Sequence, residues 1–387
     1  MYSVLTFNNI SPTGLERFDE TLYKIDADNT EPDVVLLRSY NLHEWPIPAS
    51  LKAVGRAGAG VNNIPVTRMG ELGIPVFNAP GANANAVKEL VLVGLLLASR
   101  NICEAWDYTR NLKTRGEELK RAVESGKKQY AGFELPGRTI GIVGLGSIGR
   151  LVANACIDLG MKVVGYDPML TVDGAWRLSH QVQRAANIEQ LLSRSDFVTF
   201  HVPLNDSTRH MINASNIHHL KRGATVLNFA RDGVVEEEVV CQATAEGRLH
   251  AYVTDFSNDQ SAVCKRVIEL PHLGASTEEA ENNSAIMVVE QIRDFLENGH
   301  VVNSVNFPEV TMMRGSDYRL VMAHANVPNM LGQISTAMAN AELNIHDMIN
   351  QSRGPLAYTI VDTDSPISED VVERVRGIEG VMMARSL

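Results

Sequence analysis

Short apolar runs alternate with helical spacing through most of the chain, and the rhythm changes near its end. Val34-Val35-Leu36-Leu37, Ala53-Val54-Gly55 and Ile74-Pro75-Val76-Phe77 read as short buried strands, with helical spacing from Val66 to Leu72. A long helix is predicted from Ala84 to Arg100, then a charged helical segment from Glu104 to Ser125. A second series starts at Thr139: a strand, a glycine loop, a helix over Arg150–Leu159 and a strand over Met161–Tyr166. Further strands are predicted at Phe197–Phe200, Thr225–Asn228, Tyr252–Thr254 and Arg266–Glu269, with helices at Ile188–Arg194 and Glu236–Gly247 between them. Such alternation implies parallel sheets covered by helices, in the doubly wound manner.

After a helix over Ser284–Asn298, the stretch Thr311–Asp317 reads as a linker. Strands at Leu320–Ala325, Ile345–Gln351, Tyr358–Val361 and Val381–Arg385 then enclose helices at Leu331–Asn340 and Ser368–Arg376. That order is βαββαβ, a small ferredoxin-like domain. The expected fold is therefore α/β: two Rossmann-like lobes and a C-terminal βαββαβ module.

Composition narrows the classes. The 387 residues leave room for two or three domains. A net charge of −11 without a dense Lys/Arg tract argues against nucleic acid or an anionic membrane as partner. Cys103, Cys156, Cys241 and Cys264 form no C-x-x-C pair, so neither a metal site nor a disulfide framework is expected. The longest apolar stretch, Leu90–Ala98, is too short to span a bilayer. Met1-Tyr2-Ser3-Val4 does not begin a signal peptide, which makes the cytoplasm the default location.

Candidate chemistry begins at Gly144-Leu145-Gly146-Ser147-Ile148-Gly149. In a G-x-G-x-x-G turn the first glycine permits the tight bend and the second lets a pyrophosphate approach the backbone. The third lets helix and strand pack closely. A lone glycine turn can simply pack a helix. Here a strand precedes it, a helix follows, and Asp167 ends the next strand, where a carboxylate can bond the ribose hydroxyls of NAD and repel the extra phosphate of NADP. Three later segments also follow predicted strands: Asn228–Gly233 with Arg231, Asp255–Asp259, and Pro271–Gly274 with His272. A guanidinium can clamp a carboxylate bidentately, an imidazole titrates near neutral pH, and a carboxylate near Asp259 could orient that imidazole. Taken singly, Arg231 could be a surface ion-pair partner and His272 a bystander.

At these residues the chain resembles the NAD-dependent D-2-hydroxyacid dehydrogenases over nearly its whole length. Val54-Gly55-Arg56-Ala57-Gly58-Ala59-Gly60-Val61-Asn62-Asn63 resembles the family's substrate loop, and Leu145-Gly146-Ser147-Ile148-Gly149 its cofactor loop. Asn228-Phe229-Ala230-Arg231 is similar to its arginine segment, and His272-Leu273-Gly274-Ala275-Ser276-Thr277-Glu278-Glu279-Ala280 to its histidine segment. The resemblance implies that Arg231 binds substrate and that His272 is the acid/base. Asp255 would contact the nicotinamide amide, with Val202, Ala230 and Gly274 at other cofactor positions, and the amides of Gly58, Ala59 and Gly60 would hold the substrate carboxylate. It further implies oxidation of 3-phospho-D-glycerate to 3-phosphohydroxypyruvate, with Arg38 and Arg56 as candidate phosphate cations. Asp259, followed by Gln260, stands where the family has glutamate, and Asn62 where it has aspartate.

The lobes implied are residues 1–88 with 282–310 for substrate and 89–281 for NAD. Residues 317–387 resemble an ACT domain, in which His324, Asn326 and Asn344 would hold an L-serine effector. A homo-oligomer, dimer or tetramer, is implied. The alternatives are a dehydrogenase of another D-2-hydroxy acid and a non-catalytic NAD-responsive binding protein.

Overall fold

The computed structural model describes residues 1–259, 261 and 264–387. Two compact units emerge, Met1–Asn83 with Glu278–Leu387, and Ala84–Thr277. In the first unit a five-stranded parallel sheet runs in the order Tyr23–Ile25, Tyr2–Thr6, Val34–Leu37, Ala53–Arg56, Val76–Asn78. All four residues of Val34–Leu37 are buried, as expected of a strand covered on both faces. Gly55 lets the helix Glu278–Asn298 lie close, since a Cβ there would meet Ile292 Cδ1 at 2.5 Å. That helix starts at Glu278, ahead of its apolar stripe, because Glu278, Glu279 and Glu281 in its first turn suit the positive end of the helix dipole.

The C-terminal strands form an antiparallel sheet in the order Ile345–Arg353, Leu356–Thr363, Tyr318–Ala325, Val381–Ser386, with helices Met330–Asn340 and Glu369–Arg376. The βαββαβ order is as read from the sequence. The sheet does not stand apart, however: Val321, Ala323, Tyr358 and Ile360 share one core with Val4, Val34, Val288 and Phe295. The stretch read as a linker is tied down. Met312 O accepts from Arg319 Nη2 at 3.0 Å, and Gly315 N donates to Asp362 Oδ2 at 2.8 Å.

The second unit holds a seven-stranded parallel sheet. Its order is Val267–Glu269, Ala251–Thr254, Thr225–Asn228, Phe197–Phe200, Thr139–Val143, Lys162–Tyr166, Gln183–Arg184. The chain reverses direction across the sheet between Phe197–Phe200 and Thr139–Val143, so a crevice opens at their carboxyl ends. The helix Ala84–Ser99 buries Val87, Val91, Leu95 and Ala98 at helical spacing. Full burial of each larger side chain contributes about 1.5–3 kcal/mol. The charged segment beyond it is not one helix but two, Ile102–Asn111 and Gly116–Gly126. Leu112 is extended and Gly116 has φ +60°, and neither helix has an apolar face in a core that would hold a longer one straight. Among the described residues no helix is long and apolar enough to cross a membrane.

Candidate active site

The glycine loop has the predicted geometry. Gly144 has φ +87°, and a Cβ there would meet His201 O at 2.4 Å and Val202 Cγ1 at 2.8 Å. Gly146 faces open space, whereas a Cβ on Gly149 would lie 1.9 Å from Gly144 O. The helix Ser147–Asp158 starts with no side-chain cap, and the amides of Gly146, Ser147 and Ile148 have no acceptor among the described residues. Unpaired amides at a helix N-terminus form an anion site. Asp167 follows the strand Lys162–Tyr166, and its Oδ2 accepts from Leu145 N at 2.9 Å. A carboxylate is thus fixed at the lip of the loop. The residues fit a dinucleotide: a cradle open at Gly146, closed at Gly144 and Gly149, with an acid beside it. Gly149→Ala would force the helix off the strand at a cost of about 1–3 kcal/mol. NAD affinity should fall with it in a fluorescence titration, and unchanged affinity would count against the cradle.

Register places the reactive segments side by side. Asn228 pairs with Thr254, and Thr254 with Glu269, so three parallel strands end together. Arg231, Asp255 and His272 lie just beyond those ends. Arg231 is exposed, and its Nη1 donates to Ala230 O at 2.6 Å. Crowding by neighbouring atoms lowers its pKa through desolvation, but the open surface keeps the guanidinium charged.

His272 is exposed and has φ +56°, an uncommon backbone for a non-glycine residue. Asp255 holds this turn from below. Almost fully buried, it accepts from Leu273 N at 2.7 Å through Oδ1 and from Gly274 N at 2.8 Å through Oδ2. The His272 ring meets Phe256 edge-on, with centroids 5.2 Å apart.

The resemblance assigns Asp259 to orient His272. Asp259 is exposed, and among the described residues no hydrogen bond or ion pair joins it to His272. Its turn is organised instead by Asn258, whose Oδ1 accepts from Ser261 N at 3.0 Å, while Ser261 Oγ bonds Glu269. Gln260 lies outside the described residues. One residue escaped the sequence reading. His201, beside Gly144, has a buried Nδ1 with no partner among the described residues, and burial pushes its pKa down to about 3. The signal was its place directly after the strand Phe197–Phe200, next to Val202, which was singled out.

In the first unit, the amides of Ala59 and Gly60 have no acceptor among the described residues, but Gly58 N donates to Arg56 O at 2.8 Å. Arg38 pairs with Glu281 at 2.6 Å, and Arg56 Nε donates to Arg38 O at 3.0 Å. Of the effector set, Asn326 and Asn344 are exposed. Asn326 Nδ2 donates to Gly354 O at 3.1 Å, and Asn344 Nδ2 to Asp364 Oδ2 at 2.5 Å. His324 is buried, its ring nitrogens each 2.8 Å from Ala325 O and Thr359 Oγ1.

Residues 93–276 match the model of the D-isomer specific 2-hydroxyacid dehydrogenase family, NAD binding domain, and the chain belongs to this family of NAD-dependent oxidoreductases. Among its relatives, D-3-phosphoglycerate dehydrogenase of Haemophilus influenzae is 32% identical over 87% of this chain and 81% of that protein. The enzyme of the same name from Methanocaldococcus jannaschii is 35% identical over 87% of this chain, which spans 62% of that protein's length. Of solved structures, NAD+-bound 3-phosphoglycerate dehydrogenase of Entamoeba histolytica shares the fold, with a TM-score of 0.61 at 24% identity over 79% of this chain and 98% of that one. D-mandelate dehydrogenase of Rhodotorula graminis does so with a TM-score of 0.66 at 21% identity over 80% and 98%. The cofactor is NAD.

Proposed function

We propose that the chain oxidises 3-phospho-D-glycerate to 3-phosphohydroxypyruvate, the first step of the phosphorylated route to L-serine. The observation that carries this reading is the arrival of Arg231 and His272 at the ends of neighbouring parallel strands in a unit with a dinucleotide cradle. The names of the relatives supply the substrate. Arg231 clamps the carboxylate and polarises the C2 oxygen. His272 takes the hydroxyl proton. NAD, when bound, accepts the hydride from C2. Ala59 and Gly60 present amides with no acceptor among the described residues to a carboxylate in the substrate loop, and Arg56 and Arg38 are the phosphate candidates.

Turnover of 3-phosphoglycerate, D-lactate and 2-hydroxyglutarate should be compared in one NADH assay. The proposal expects a clear preference for 3-phosphoglycerate. Preference for another acid overturns the substrate, and tight NAD binding with no turnover favours a binding protein.

The C-terminal sheet is read as an ACT-type module on its βαββαβ order, where an L-serine effector would meet Asn326 and Asn344 rather than the enclosed His324. A homo-oligomer is supported by exposed Val93, Leu96, Ile102 and Trp106 on two consecutive helices. A cytoplasmic location is part of the same proposal.

A further inference from the structure

Behind Arg231 lies a buried polar chain that the reaction as described does not use. The Asn228 amide brackets the arginine turn: Oδ1 accepts from Ala230 N at 3.2 Å and Nδ2 donates to Arg231 O at 3.0 Å. Asn228 is 1% exposed, so this bracket has no water to compete with it. On the adjacent strand, Tyr252 is wholly buried and lies two residues before Thr254, the partner of Asn228, so it shares a sheet face with Asn228. Burial raises its pKa, and the Thr254 and Asn228 side chains act against that rise. The Tyr252 hydroxyl donates to Glu237 Oε1 at 3.2 Å. Glu237 opens the helix Glu237–Ala245, is itself buried, and leaves Oε2 without a partner among the described residues. Burial raises its pKa, the Tyr252 bond opposes this, and the Asp232 and Glu269 carboxylates add to the rise.

We propose that Tyr252 and Glu237 are positioning residues for Arg231, acting through the Asn228 amide. The proposal rests on the reading of Arg231 as the substrate arginine. The chain runs from the helix start, through the strand, to the backbone on both sides of the arginine Cα. It fixes the turn, and the turn aims the side chain. Losing the Tyr252 hydroxyl or the Glu237 carboxyl leaves buried groups unpaired and loosens the bracket.

Tyr252→Phe, Glu237→Ala and Glu237→Gln test this in the full-length protein. KM and kcat for 3-phosphoglycerate, the Kd for NAD, and amide hydrogen exchange over residues 228–233 are measured for each. Tyr252→Phe and Glu237→Ala are expected to raise KM about 5- to 10-fold, the effect of one lost hydrogen bond. Their kcat and NAD affinity should stay within about twofold, and exchange in the arginine turn should quicken. Glu237→Gln, a neutral isostere that still accepts from Tyr252, should restore the parent values. Unchanged KM in both disrupting variants overturns the proposal, as does NAD affinity falling in step with KM. If the parent protein turns over no 2-hydroxy acid, the substrate reading fails separately. Exchange then decides: quickening confined to residues 228–233 upholds the brace, and no change overturns it.

Discussion

His272→Ala is expected to lower turnover of the 2-hydroxy acid by a factor of about 100 or more, the usual worth of a positioned base. NAD affinity should barely move. The argument is structural. Asp255 grips the turn through the backbone amides of Leu273 and Gly274, neither of which depends on the imidazole. Removing the ring therefore removes the proton acceptor and leaves its mount. The left-handed backbone at His272 offers a second variant, because asparagine tolerates φ near +56° better than most residues. His272→Asn should keep the turn and lose the chemistry equally. Steady-state rates of both variants, with NAD titrations, check this. Near-normal turnover in either would refute the role of His272.

The second large effect concerns stability. Arg319 and Asp362 are both fully buried and joined by two bonds, Nε to Oδ1 at 2.7 Å and Nη2 to Oδ2 at 3.0 Å. Arg319 Nη1 also donates to Asn298 O at 2.8 Å. Asp362→Ala would strand a buried guanidinium, and breaking such a pair costs roughly 3–5 kcal/mol. Urea unfolding measures this directly, and a loss below about 1 kcal/mol would mean the pair behaves as an exposed one. Burial alone would raise the Asp362 pKa, but Arg319, the Gly315 amide and nearby Arg314 more than reverse it, leaving it below the ordinary aspartate value. A carboxylate with a lowered folded pKa contributes its stability above the unfolded value, near 3.9, and loses it as pH falls through the folded one. The parent should therefore weaken below about pH 4, and Asp362→Ala should lack that share of the acid dependence.

The strands of the parallel sheets were legible because they are buried on both faces and so read as unbroken apolar runs, Val34–Leu37 most plainly. Tyr2–Thr6 and Tyr23–Ile25 were not read as strands, since their polar positions dilute the signal although both belong to the first sheet. The glycine loop was readable residue by residue: Gly144 and Gly149 are required by distances that a Cβ would violate, and Gly146 leaves the cradle open. Arg231, Asp255 and His272 were readable as strand-end residues. The direction of the Asp259 side chain was not legible, because where a short side chain on an irregular turn points is decided by neighbours such as Asn258 and Ser261. The chain from Asn228 to Glu237 was invisible for a different reason: its members are brought together only by strand pairing and helix packing.

The shared core of the first and last sheets bears on how such a gene can be cut. Arg385, two residues from the end, donates to Leu296 O at 3.0 Å and lies 4.5 Å over the Phe295 ring, in the core that also holds Phe77. A truncation that removed the last sheet would not release a tidy lobe. It would bare the aromatic floor of the first sheet and the end of its longest helix, so the C-terminal segment serves as part of the scaffold.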